Sequence, residues 1–190
     1  VDAAGSTLYL NQSVVPYVDQ AMLATCGDTR PQGPLVILDG SRSACQWKVD
    51  PQAAQAGIFP ARLLPSLERD DYVQNSNDPA WMTNPAQPLT GYSPLVSRND
   101  QPLSMRGRYA LQRLQGKGRL GVDDLQHMVL DDEAYLARLV LPDLLQWCKA
   151  AGADVQAVCE SLAAWNGKAD LDSGMGLVHF ENLLDSLAEH

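Results

Sequence analysis

The spacing of apolar and polar residues changes character about halfway along the chain. Up to residue 98 the apolar positions come in short runs cut by proline, and nine of the 12 prolines fall between Pro31 and Pro94. The turn Ala3–Ser6 leads into Thr7–Leu10, and the β-branched run Ser13–Val18 follows; both predict strands. A short helix is predicted near Asp19–Thr25, and Pro34–Leu38 predicts a buried strand stopped by Asp39-Gly40-Ser41. Phe59–Leu67 has helical spacing, and Tyr72-Val73 predicts the next strand. From Ser104 onward the period becomes that of a helix. Helices are predicted over Arg106–Leu114, from Gly121 with Asp123 and Asp124 in the first turn, over Asp131–Cys148, over Asp154–Trp165 and over Leu177–Leu187. In the longest, Leu136, Val140 and Leu144 form an i, i+4 stripe widened by Leu141 and Leu145, and Pro142 is expected to kink or divide it. The expected class is therefore α+β, with a strand- and loop-rich part over 1–98 and a helical part over 99–190.

Composition narrows the function classes. An apolar content of 45% over 190 residues is that of a globular chain with a sizeable core. No apolar run approaches the roughly 20 residues that span a bilayer, so no membrane partner is expected. The net charge of −9, from 14 basic and 23 acidic residues with no basic cluster, disfavours nucleic acid. The chain opens at Val-Asp-Ala-Ala-Gly, which is the expectation for a processed or excised piece. Cys26/Cys45 and Cys148/Cys159 make two near pairs without Cys-x-x-Cys spacing, and His127, His179 and His190 are scattered, which argues against zinc. The pairs fit two local disulfides in an oxidising compartment; four buried thiols in a reducing one is the competing reading. Cys148 and Cys159 flank the turn of a predicted αα-hairpin, a sensible place for a staple.

Few segments offer chemistry. Asp170-Leu171-Asp172-Ser173-Gly174 with Glu181 in the twelfth position has the outline of a calcium loop, but the sixth position, which needs glycine, is Met175. Asp170 and Asp172 are expected to cap helices or satisfy loop amides. Asp131-Asp132-Glu133 is explained by a solvated helix N-terminus, and His127 by a surface or packing role. There is no Gly-x-Ser-x-Gly elbow, and Val1 has no nucleophilic side chain. The stretch Asp70–Pro85 is the most informative. Tyr72-Val73 runs into Asn75-Ser76-Asn77-Asp78-Pro79, where Asn and Asp compete for their own backbone and the residue before proline is held extended. This reads either as a polar turn or as an amide presented to a substrate.

Several segments, in order, resemble the penicillin acylases and their relatives that hydrolyse N-acyl-homoserine lactones or aculeacin. They are Ser13–Pro16, Val36–Trp47, Asp71–Pro94 with its Asn-Ser-Asn-Asp-Pro-Ala-Trp, Met105-Arg106-Gly107-Arg108, Leu139–Leu144 and Trp165–Gly176. Asn166 departs from the Asp expected after the Trp, and Pro79 from an expected Ser. The resemblance implies an N-terminal-nucleophile hydrolase of αββα architecture, cut from a precursor into α and β chains. Its nucleophile would be a serine whose own α-amine is the general base. The present chain would be an internal part of the β chain, with the α chain and the rest of the β chain as partners and an acyl amide as substrate. By motif position Asn77 corresponds to the oxyanion asparagine and Arg106 to the active-site arginine, with Arg108 as a weaker candidate. Calcium, bound in this family by a carboxylate shortly after the asparagine, is not carried over, because residues 79–99 contain no Asp or Glu. No cofactor is expected. Export to the periplasm or beyond is implied, in agreement with the paired cysteines. The isolated chain should be inactive. The rival reading is a non-catalytic, disulfide-stapled module for binding or assembly.

Overall fold

The computed structural model describes residues 2, 4–28, 35–99 and 101–188. Val1, Ala3 of the predicted first turn, Pro31, Pro34 at the head of the predicted 34–38 strand, and His190 lie outside the described residues. The chain divides into two compact units, residues 1–110 and 111–190. It is a mixed helical and β chain, as an α+β class requires.

In the first unit a two-stranded antiparallel sheet pairs β1 (Thr7–Leu10) with β2 (Ser66–Arg69), in the register Thr7↔Arg69 to Leu10↔Ser66. The pleat turns Thr7 and Tyr9 inward and leaves Leu8 and Leu10 more than half exposed. Tyr9 packs with Val73 and Tyr92 against the buried Leu67, Ala80 and Leu89. A second cluster forms around the short helix α1 (Gln20–Cys26): Val18, Met22, Cys26 and Cys45, with Leu23, Leu38 and Leu95 beside them. Asp19 caps α1, its Oδ1 accepting the Met22 N–H at 3.0 Å. Both cysteine pairs are bonded, Cys26 to Cys45 and Cys148 to Cys159, each with Cα atoms 5.7 Å apart. With separations of 19 and 11 residues, each bridge contributes about 3 kcal/mol by the chain-entropy argument.

Four predicted elements of the first unit take a different form. Ser13–Val18 is extended, but only the single bridge Pro16↔Ile58 forms, because Pro16 has no N–H with which to continue a ladder. The described part of 34–38 makes one bridge, Gly27↔Leu38, and is not buried: Leu35 is 67% exposed and only Leu38 enters the core. Phe59–Leu67 is not a helix. Pro60 and Pro65 confine it to one 3-10 turn, Ala61–Leu63, before β2 begins. Tyr72-Val73 joins no strand, since β1 is already paired by the residues just before it.

Beyond α2 (Met105–Leu114), the helices follow the predicted periods closely: α3 (Val122–Leu130), α4 (Tyr135–Cys148), α5 (Gln156–Ala164) and α6 (Gly174–Ala188). The core of the second unit is Ala137, Leu162, Trp165 and Phe180, ringed by Leu141, Leu144, Leu145, Val158, Leu177 and Leu184. Pro142 does not divide α4, which runs through it as one helix. Apolar contacts on both sides of the proline, from Leu136 and Ala137 to Leu144 and Leu145, hold the helix across the missing hydrogen bond. The Asp170 loop is a helix lead-in, as expected. Asp170 Oδ1 accepts the Asp172 N–H at 3.0 Å and the Ser173 hydroxyl at 2.9 Å.

Candidate functional site

The loop that follows β2 is braced by polar side chains, of which Gln74, Thr83 and Asn84 are buried. Arg69 grips Asp71 with two N–H groups, Nε to Oδ1 and Nη2 to Oδ2, both at 2.7 Å. Asn84, 1% exposed, donates to Asp71 Oδ1 at 3.1 Å and to the Tyr72 carbonyl at 2.8 Å. Gln74 donates its backbone N–H to the Thr83 carbonyl and its Nε2 to the Met82 carbonyl, each at 3.1 Å. Thr83, equally buried, donates its hydroxyl to the Ala80 carbonyl at 2.8 Å. Residues 71–84 are thereby closed into an Ω-like loop whose tip is Asn75–Pro79.

This brace makes a prediction about acid. The Arg69 guanidinium, helped by the Tyr72 N–H and Asn84, holds the Asp71 carboxyl well below the usual carboxylate range. A depressed folded-state pKa stabilises the fold fully above the unfolded carboxylate value of about 3.9 and progressively less as pH falls below it. Asp71→Asn should therefore flatten the fall of the thermal midpoint between about pH 5 and pH 2. An unchanged acid limb would show that Asp71 does not set it.

At the tip, Asn77 has φ 64°, the left-handed region that asparagine tolerates better than most residues. Asn75 holds the turn: its Oδ1 accepts the Asn77 N–H at 3.0 Å, and its Nδ2 donates to the Asp78 carbonyl at 2.9 Å. The turn aims the exposed Asn77 side chain at the start of α2, where Arg106 Nη1 donates to Asn77 Oδ1 at 3.3 Å. Arginine can only donate, so the amide oxygen is the atom that faces it and the Nδ2 group points elsewhere. Asn77 Nδ2 makes no hydrogen bond among the described residues, leaving two N–H donors. Asn77 lines an open cleft of about 740 Å³, with Tyr9, Leu10, Asn75, Ser97 and Arg98 among its walls. Arg108 lies with Trp81 in a different, smaller groove. No group of three or more His, Cys, Asp or Glu side chains that could hold a metal occurs among the described residues.

The structure thus brings Asn77 and Arg106 together across 29 residues of sequence. Sequence reasoning missed Ser104 and Gly107, and with them the contact that ties Asp78 to the start of α2. Asp78 Oδ1 accepts the Ser104 N–H at 2.8 Å, and its Oδ2 accepts the Ser104 hydroxyl, also at 2.8 Å. Ser104 Oγ in turn accepts the Gly107 N–H at 3.0 Å, so Ser104 caps the helix that carries Arg106. The only sequence signal was a serine three residues ahead of a glycine at a helix start. Nothing local tied either to Asp78.

A neutral amide fixed by an arginine at the edge of a cleft, with two free N–H donors, is an arrangement suited to a developing negative charge on oxygen. The comparisons agree with a hydrolase. A profile of the penicillin amidase family matches residues 1–190, and the chain belongs to that family. It is 82% identical over 190 residues to the acyl-homoserine lactone acylase PvdQ of Pseudomonas putida, covering 100% of this chain and 25% of that protein. It is 54% identical over 193 residues to the protein of the same name from Pseudomonas fluorescens, again 100% of this chain and 25% of the relative. It is 36% identical over 197 residues to the aculeacin-A acylase of Actinoplanes utahensis, covering 90% of this chain and 25% of that enzyme. The chain spans about a quarter of the length of these relatives.

Proposed function

We propose that this chain is an internal part of the β chain of an exported acylase that hydrolyses the amide of an N-acylated small molecule, an acyl-homoserine lactone being the first candidate. The reading places the nucleophile, a serine bearing a free α-amine, outside this chain, in the αββα core of the parent enzyme. The serine Oγ attacks the amide carbonyl while its α-amine takes the proton. The carbonyl oxygen becomes an oxyanion, and Asn77 Nδ2 donates to it. The proton passes to the leaving amine, and water then releases the acyl group from the serine by the reverse sequence of proton transfers. Arg106 donates to Asn77 Oδ1, which favours the orientation that turns Nδ2 towards the oxyanion.

That hydrogen bond is the observation that carries the proposal, because it decides which end of the amide is free. Relatives that are named acylases support the reaction class. The two disulfides support export, since such bonds persist in oxidising compartments. The test is to offer the full-length enzyme an N-acyl-homoserine lactone and follow both bonds. Release of the free amine with the lactone ring intact is expected. Ring opening with the amide intact would overturn the reading. The separate 190-residue chain should release no amine, and turnover by it would place the nucleophile within it.

A further inference from the structure

Arg106 reaches Asn77 through one hydrogen bond of 3.3 Å between two exposed side chains. Such a contact is worth little by itself and does not hold two loops in register. The firmer link lies one residue from Asn77 and two from Arg106. The half-buried Asp78 carboxylate spends one oxygen on the Ser104 N–H and the other on the Ser104 hydroxyl, a two-point clamp across 26 residues. Both bonds involve an ionised acceptor, the stronger kind. The same hydroxyl caps α2 through the Gly107 N–H, so the carboxylate, the cap and the first turn of the helix form one unit.

Gly107 shows how tightly this unit is closed. It is buried at the start of α2, and a Cβ there would lie 2.2 Å from Asp78 Oδ2 and 3.1 Å from its Cγ. Helix propensity alone favours alanine at such a site. The glycine is needed because the carboxylate occupies the space a side chain would fill.

We propose that Asp78 is a positioning residue for the oxyanion donor, acting through Ser104 and the α2 N-terminus to set Arg106 against Asn77. The proposal rests on the assignment of Asn77 as that donor. In the full-length enzyme, Asp78→Ala should lower kcat at least about tenfold while KM changes by less than about twofold, since the substrate still binds and only the transition state loses its donor. In an Asn77→Ala background Asp78→Ala should cause almost no further loss, because a residue that acts through Asn77 has nothing left to act on. Gly107→Ala, which displaces the carboxylate without weakening the helix, should reproduce the kcat loss and the same non-additivity.

Multiplicative losses of Asp78→Ala and Asn77→Ala would overturn the proposal. So would an unchanged kcat for Asp78→Ala beside a damaged Asn77→Ala, and that result would leave the donor assignment standing. An unchanged kcat for Asn77→Ala would instead remove the donor assignment, and this proposal with it. If Asp78→Ala does not fold, Ser104→Ala, which keeps the backbone half of the clamp, decides by the same criterion.

Discussion

Asn77→Asp is expected to lower kcat by about 10²–10³-fold in the full-length enzyme, the usual effect of losing one oxyanion donor, with little change in KM. The substitution is chosen because it leaves the rest of the site as it is. Aspartate has the size of asparagine and accepts the left-handed backbone at φ 64°. It also offers Arg106 a stronger acceptor than the amide oxygen it replaces. What it removes are the two N–H donors, and it sets a negative charge against the developing oxyanion. Asn77→Gly separates the same terms in another way: the backbone conformation becomes easy while the donor is lost, so kcat should fall by a similar factor. Asn77→Ala loses the donor as well and adds strain at the positive φ. Steady-state kinetics on correctly folded protein check this. A kcat near wild type for Asn77→Asp would exclude the amide as the donor.

The second large effect is expected in the helical unit. Gly176 lies in the first turn of α6, packed against Ser161 of α5 and Trp165 just after it. A Cβ at 176 would sit 2.3 Å from Trp165 Cβ and 2.7 Å from the Ser161 carbonyl oxygen. Neither neighbour can swing away. The carbonyl belongs to the α5 backbone, and Trp165 is fixed by its Nε1–H to the Lys168 carbonyl at 2.8 Å and by Phe180, whose ring centroid is 5.3 Å away. Gly176→Ala should therefore destabilise the fold by about 2–3 kcal/mol, the overpacking cost outweighing the roughly 1 kcal/mol gained from helix propensity. Gly174, two residues earlier, serves as the control. It has φ 59° and open space around its Cα, so alanine there meets only backbone strain of about 1 kcal/mol, which asparagine should partly relieve. Thermal melts of the four proteins, wild type included, separate the two causes. Equal shifts for Gly174→Ala and Gly176→Ala would show that the close helix crossing does not limit stability.

Legibility differed between the two halves for a physical reason. A 3.6-residue period is a local property, repeated turn after turn, and the helices from α3 to α6 lie close to where that period places them. The loop-rich half has no such repetition. Whether an apolar run such as Leu35–Ile37 is buried depends on what packs over it, and a strand exists only if a partner supplies its hydrogen bonds. Tyr72-Val73 had the residues of a strand but lies in none; Ser66–Arg69 was less obvious and lay opposite Thr7–Leu10. The candidate site shows the same division. Asn77 and Arg106 could be named by motif, since each sits in a recognisable short segment. The clamp between them could not, because Asp78, Ser104 and Gly107 are ordinary residues whose role arises from a contact spanning 26 positions.

The sequence by itself determined the helical periods, the pairing of near cysteines, and the amide-rich turn after the β2 segment. All of these depend on residues a few positions apart or on short loops whose closure is entropically cheap. Only the tertiary structure decided which strand pairs with β1, which apolar runs are buried, that α4 passes through Pro142 unbroken, and that an arginine takes the oxygen of Asn77. Each of those outcomes is set by the partner that reaches a residue from far along the chain, and a local pattern holds no record of that partner.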